Sequence, residues 1–210
     1  MDGKKGITGH LLAIATIFIW GTTFISTKTL LKVFSPIETL FLRLSIAFVA
    51  LLVAYPHKLK LKDKKQELYF AAAGLCGVTL YYLLENIALS YTFASNVGVT
   101  VSVAPFFTAI FAHFFLAGEK LRVKFFIGFA VAIVGISLIS FNGINNLQLN
   151  PLGDILAVLA AVSWAVYSIL TKKISSFHYN TIQSTRKIFF YGLVFMIPAL
   201  FIFGFKPDIN

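Results

Sequence analysis

The sequence predicts an all-α integral membrane protein, a polytopic bundle of about seven transmembrane helices. Three observations predict it: seven long apolar runs, basic residues confined to alternate connections, and an internal repeat. Hydrophobic residues make up 58% of the 210 residues and charged residues 12%. An average globular protein has roughly 45–50% and about 25%. So few charges cannot build a water-facing shell, so lipid must be the solvent for much of the surface. The net charge of +10 is no nucleic-acid signature, because the basic residues sit in short clusters between apolar runs. Cys76, the single cysteine, rules out an intramolecular disulfide and a multi-cysteine metal site.

A spanning helix needs about 20 mostly apolar residues, since the hydrocarbon core is about 30 Å thick and each residue rises about 1.5 Å. That criterion places spans at 9–31, 36–56, 68–91, 94–116, 124–142, 152–173 and 184–204. The stretch Gly6–Thr27 carries no formal charge and is longer than a signal-peptide core of roughly 7–15 residues. It reads as a retained first helix. Between spans lie Ser35-Pro36, the lysine-rich segment 57–65, Ala94-Ser95-Asn96, Gly118-Glu119-Lys120 and the polar stretch 142–151.

One alternate set of connections holds Lys4 and Lys5, then Lys58, Lys60, Lys62, Lys64 and Lys65, then Lys120, Arg122 and Lys124, then Lys172 and Lys173. The opposite set holds Lys32 and Lys206, and the stretch 142–151 has neither lysine nor arginine. Positive charge is retained on the cytoplasmic side. The N-terminus is therefore expected inside, in a cell membrane (plasma or inner), with the seventh helix ending outside.

The repeat is visible at an offset of 144. Gly9-His10-Leu11-Leu12-Ala13 resembles Gly153-Asp154-Ile155-Leu156-Ala157, and Trp20, Thr27 and Lys28 fall on Trp164, Thr171 and Lys172. Arg43 falls on Arg186 one residue out of register. Apolar helices match in Leu and Ala by chance; paired Trp, Lys and Arg are harder to obtain that way. With five spans in the first unit, the second starts on the opposite side, the inverted-topology repeat on which many secondary transporters are built. The domain boundaries expected are 1–142 for a first five-helix unit, 143–151 for an extracytoplasmic linker, and 152–210 for the start of a second unit.

Trp20-Gly21-Thr22-Thr23-Phe24 with Lys28, Pro36 and Arg43 resembles the opening of EamA-type transporters of the drug/metabolite transporter superfamily. So does the run Glu85–Ser95, followed by Pro105 and Gly118-Glu119-Lys120. The resemblance implies a ten-helix fold of two five-helix halves that carries small metabolites. This sequence stops after the second helix of the second half; a full second unit would end at about residue 285 by the repeat offset.

Ionisable residues inside a membrane usually pair or line a wet cavity, since an isolated charge at a helix centre costs about 2.5–3.5 kcal/mol on insertion scales. Glu85, Arg43 and Lys28 share one depth: Arg43 lies roughly 10 Å and Glu85 roughly 9 Å from the outer helix ends. Glu85 is the candidate for binding a cationic or amino group, or for proton or ion coupling; a structural pair with Arg43 or Lys28 is the alternative. Tyr81 shares its helical face with Glu85 and Ala88, and Asn86 and Asn96 lie at similar depth. Trp20 and Trp164 sit inside their helices, where they either stack on a substrate ring or pack. Arg186 is the repeat counterpart of Arg43. Pro105 is expected to kink the fourth helix. Small residues at Ser95, Gly98 and Ser102, and at Gly128, Ala132 and Gly135, are expected to let helices pack closely.

The reading is a secondary transporter, an exporter of small metabolites or amphiphiles (amino-acid-like or drug-like), without a cofactor and with no metal or nucleic-acid partner. Lipid and a small molecule are its partners, and a homo-oligomer would supply surface that a shortened carrier lacks. A seven-helix receptor conflicts with an inside N-terminus, and a retinal pump with the absence of a lysine from Ile188 to Phe205. An enzyme finds no zinc-spacing motif, phosphate loop or nucleophile elbow. The remaining alternatives are an inactive or partial fragment of a transporter, or a non-transporting membrane protein.

Overall fold

The computed structural model describes residues 2–141 and 150–203, and every element among them is helical. The helices are α1 (Asp2–Leu30), α2 (Pro36–Ala54), α3 (Gln66–Tyr91), α4 (Ala94–Phe115), α5 (Val123–Phe141), α6 (Pro151–Ser175) and α7 (Thr181–Phe203). Six are long and apolar enough to cross a membrane, and α5 adds a shorter apolar stretch, Val123–Gly135. The seven expected spans match these helices one for one, with most ends within three residues. Most of the linker expected at 143–151 lies outside the described residues.

Local chemistry sets the helix ends. Ser35 caps α2: its hydroxyl accepts from the Glu38 amide while the Glu38 carboxylate accepts from the Ser35 amide, and Pro36 takes the first helical position. The Asn150 side chain accepts from the Gly153 amide to start α6, again with a proline in the first turn. Gly118 turns the chain between α4 and α5 at φ +88°, where a side chain would be strained.

Two helices are irregular. In α3 the segment Leu75–Leu80 is a π turn. Its Cys76 carbonyl accepts from Ser163 Oγ at 2.8 Å, and Thr79 Oγ1 donates to the Gly192 carbonyl at 3.0 Å. In α4 the helix breaks at Ser102–Val103, just before Pro105 in the second position of its following half. Proline has no amide to return to Val101, so the interruption expected at Pro105 is present one turn N-terminal to it.

The core forms where α2, α3, α6 and α7 meet, around Ile37, Leu40, Phe70, Val78, Ile188 and Met196. A smaller cluster of Ala88, Leu89, Val97 and Ala157 joins α3, α4 and α6. α1 and α5 lie at the periphery. Of the expected small residues, the glycines Gly98, Gly128 and Gly135 do not serve close helix approach, since a Cβ added at any of them would meet nothing within 4 Å. Close approach uses glycines on α3 and α7. A Cβ on Gly74 would lie 2.7 Å from the Ile188 carbonyl oxygen and 2.8 Å from the Gly192 nitrogen, and one on Gly77 would lie 2.1 Å from the Tyr167 ring. Spacing alone could not separate the two sets, because a small residue facing open space and one facing a helix look alike in sequence.

α1 is tethered at one end. Lys28 Nζ donates to the Leu89 carbonyl and, at 2.7 Å, to the Thr92 carbonyl. It thereby covers carbonyls that the C-terminus of α3 leaves unpaired, with charge of the favourable sign.

Gly74→Ala is expected to lower the melting temperature in detergent at a cost of about 1–3 kcal/mol, because backbone atoms cannot yield; Gly98→Ala should leave it unchanged. Lys28→Met should cost about 1 kcal/mol and speed proteolysis within α1 of the detergent-solubilised protein.

Candidate functional site

The π turn inserts one extra residue into α3, which re-aims the next turn by about 100°. That next turn carries Tyr81, Tyr82 and Glu85. Glu85 is buried, and Tyr81 donates its hydroxyl proton to Glu85 Oε1 at 3.1 Å. From α2, Arg43 Nη1 donates to Thr27 Oγ1 at 2.7 Å, and its guanidinium carbon lies 5.8 Å from the Tyr82 ring centroid, within cation–π range. Arg43 and Glu85 therefore face one space with no ion pair between them, each held by a neutral hydroxyl.

That space is a cavity of about 460 Å³, within the range of about 300–1,000 Å³ usual for small-molecule sites. Trp20, Phe24, Tyr81, Tyr82 and Trp164 line it together with Arg43, Glu85, Thr23 and Ser102. The two tryptophans meet edge to face with centroids 5.6 Å apart at 89°. Trp164 also lies 4.8 Å from Tyr81 and 5.2 Å from Tyr167. A second concavity of about 450 Å³ shares Pro105 and Trp164 with the first and runs to Ser168, Lys172 and Glu119. The two spaces adjoin at Trp164.

Six residues singled out from sequence line the main cavity: Glu85, Arg43, Trp20, Tyr81, Trp164 and Pro105. Four lie elsewhere. Lys28 caps α3. Asn86 is fully buried and donates to the Pro36 carbonyl at 3.2 Å. Asn96 donates to Thr92 Oγ1 at 3.1 Å. Arg186 is buried and grips the connection between α2 and α3, donating to the Tyr55 and His57 carbonyls. Sequence reasoning did not place Tyr82, Phe24, Gly98 or Ser102 in the cavity: Gly98 and Ser102 were expected to serve helix packing, and Phe24 entered only through the motif. A single-face argument through 81, 85 and 88 places Tyr82 on another stripe, but the cavity is wide enough to take both tyrosines, while Ala88 packs in the core.

The bundle defines a multi-pass helical membrane protein with a central aromatic and charged cavity. The chain belongs to the EamA-like transporter family, whose model matches residues 7–141. It is 29% identical over 206 residues to an uncharacterized transporter of Archaeoglobus fulgidus, covering 96% of this chain and 70% of that one. It is 33% identical over 175 residues to the uncharacterized transporter YvbV of Bacillus subtilis, covering 82% and 56%. A probable amino-acid metabolite efflux pump of Escherichia coli is 28% identical over 177 residues, covering 84% and 56%. The chain thus spans between 56% and 70% of the length of these relatives. A solved crystal structure shares the fold at a TM-score of 0.61 and 20% identity, covering 90% of this chain and 67% of that one.

Tyr81→Phe removes the hydroxyl that reaches Glu85 and keeps the ring, so a stability loss of about 1 kcal/mol is expected. Tyr81→Ala also strips the contacts to Trp164 and Tyr82 and should cost about 3–5 kcal/mol. Melting of the two variants side by side measures the difference.

Proposed function

We propose that this chain acts as a secondary carrier that exports small metabolites or amphiphiles, amino-acid-like or drug-like, by alternating access between inverted halves. One observation carries the reading: a central cavity presents a carboxylate and a guanidinium that do not pair with each other, inside an aromatic wall. Two opposite charges held apart at membrane depth are costly unless a polar solute or water meets them. A solute with an amino group suits Glu85, an acidic group suits Arg43, and a flat or apolar body suits Trp20, Tyr82 and Trp164. The likeness to a probable amino-acid metabolite efflux pump of Escherichia coli supports the same substrate chemistry. Glu85 is also the group that would take up a coupling proton or cation.

The inverted arrangement is supported by the repeat at offset 144 and by the family match over residues 7–141. The alternation of basic connections supports a cytoplasmic N-terminus in a plasma or inner membrane. On that orientation the outer ends of α1 and α3 are joined through Lys28, and the second concavity runs inward from Trp164. The conformation would then be the inward-directed one. Trp20 leaves half its surface exposed, and a second copy of the chain is the oligomeric partner this reading allows on that flank.

The test is uptake of candidate amines and amino acids into inverted vesicles holding the full chain. Glu85→Gln is expected to lower the rate at least about tenfold, the scale on which an uncompensated buried charge partner acts, and Glu85→Asp to keep part of it. Full transport with unchanged pH dependence in the Gln variant would overturn the role of Glu85.

A further inference from the structure

Between the end of α4 and the start of α5 the structure holds a cavity of about 400 Å³, which borders the second concavity through Ala109, Ala112 and Glu119. Its floor is apolar, made by Ala109 and Ala112 of α4 with Leu121 and Phe125. Its mouth carries Lys120, Arg122 and Lys124, with Glu119 as the one acid among the lining residues. The segment 119–122 is not helical. Lys120 and Arg122 are exposed while Leu121 between them is partly buried. No ion pair joins Lys120, Arg122 or Lys124 to an acidic residue among the described residues. Around the mouth, Phe115, Val123, Phe126 and Ile127 present apolar surface.

A concave site with three unneutralised cations over an apolar floor, beside a lipid-facing flank, is complementary to an amphiphilic anion. Topology alone requires basic residues on this side of the membrane, but it requires neither a cavity nor an apolar floor beneath them. We propose that this cavity binds a phosphate group, with the three cations on its oxygens. The apolar floor and flank favour the phosphodiester headgroup of an anionic lipid over soluble phosphate.

The experiment reconstitutes the full chain in equal phosphatidylglycerol and phosphatidylcholine, extracts it mildly, and counts retained lipids by native mass spectrometry. Wild type should retain phosphatidylglycerol preferentially. Arg122→Gln should weaken that retention about fivefold, and the K120Q/R122Q/K124Q variant should abolish it. K58Q/K60Q/K62Q removes the same charge from another connection on the same face and should retain it. A second arm measures thermal stabilisation by inorganic phosphate against chloride in pure phosphatidylcholine. Stabilisation there, lost in K120Q/R122Q/K124Q, would assign the site to the soluble anion as well. Equal loss of retention in both triple variants would overturn the proposal in favour of bulk charge. Absence of both lipid preference and phosphate stabilisation in wild type would overturn it outright.

Discussion

A helix that departs from its regular ladder at membrane depth exposes backbone groups that lipid cannot satisfy, so other protein groups must meet them. The π turn at Leu75–Leu80 imposes that constraint on this bundle. Ser163 of α6 donates to the Cys76 carbonyl, and Thr79 reaches across to the Gly192 carbonyl of α7. Gly77 and Gly192 let the neighbouring side chains Tyr167 and Val78 come close enough for this, since a Cβ at either would fall within 2.5 Å of them. The packing of α6 and α7 on α3 and the aim of Tyr81 and Glu85 thus follow from the same irregular turn.

The charges obey a related economy. Replacing water around a buried ion is expensive, and a direct pair recovers the cost only with good geometry. Here Arg43 and Glu85 each take a neutral hydroxyl, from Thr27 and Tyr81, and leave the space between them open to a solute. Near the other end of α3 the chain does the opposite: Lys187 and Glu67 pair at 2.7 Å, with the Tyr191 hydroxyl donating to the same carboxylate. A paired cluster ties helices together; an unpaired one can respond to what enters. The contrast separates the scaffold from the cavity.

Length and hydropathy made all seven helices legible in the sequence, because lipid imposes one coarse rule on every span. Trp20, Arg43, Tyr81, Glu85 and Trp164 were legible as cavity residues because an aromatic or charge inside a span needs a reason. Lys28, Asn86, Asn96 and Arg186 met the same criterion and do other work, since depth says nothing about which way a side chain points. The π turn left no sequence signal, and with it Tyr82 was lost. The glycines that matter, Gly74, Gly77 and Gly192, differ from Gly98 and Gly128 only in what lies opposite them, and that is a property of partners distant in the chain.

The grip on the connection between α2 and α3 has a consequence for biogenesis. Arg186 holds the Tyr55 and His57 carbonyls, and Gln183 those of His57 and Lys58. Tyr179 accepts from the Lys62 amide and donates to Gln66. All of these partners are made more than 100 residues after the connection they hold. While the ribosome is still extending the chain through α4 and α5, the turn between α2 and α3 has no hydrogen-bonding clasp. It becomes fixed only after the start of α7 has been synthesised, so this connection must wait for a segment that follows it, while α1, α2 and α3 already hold one another through Lys28, Arg43 and Asn86.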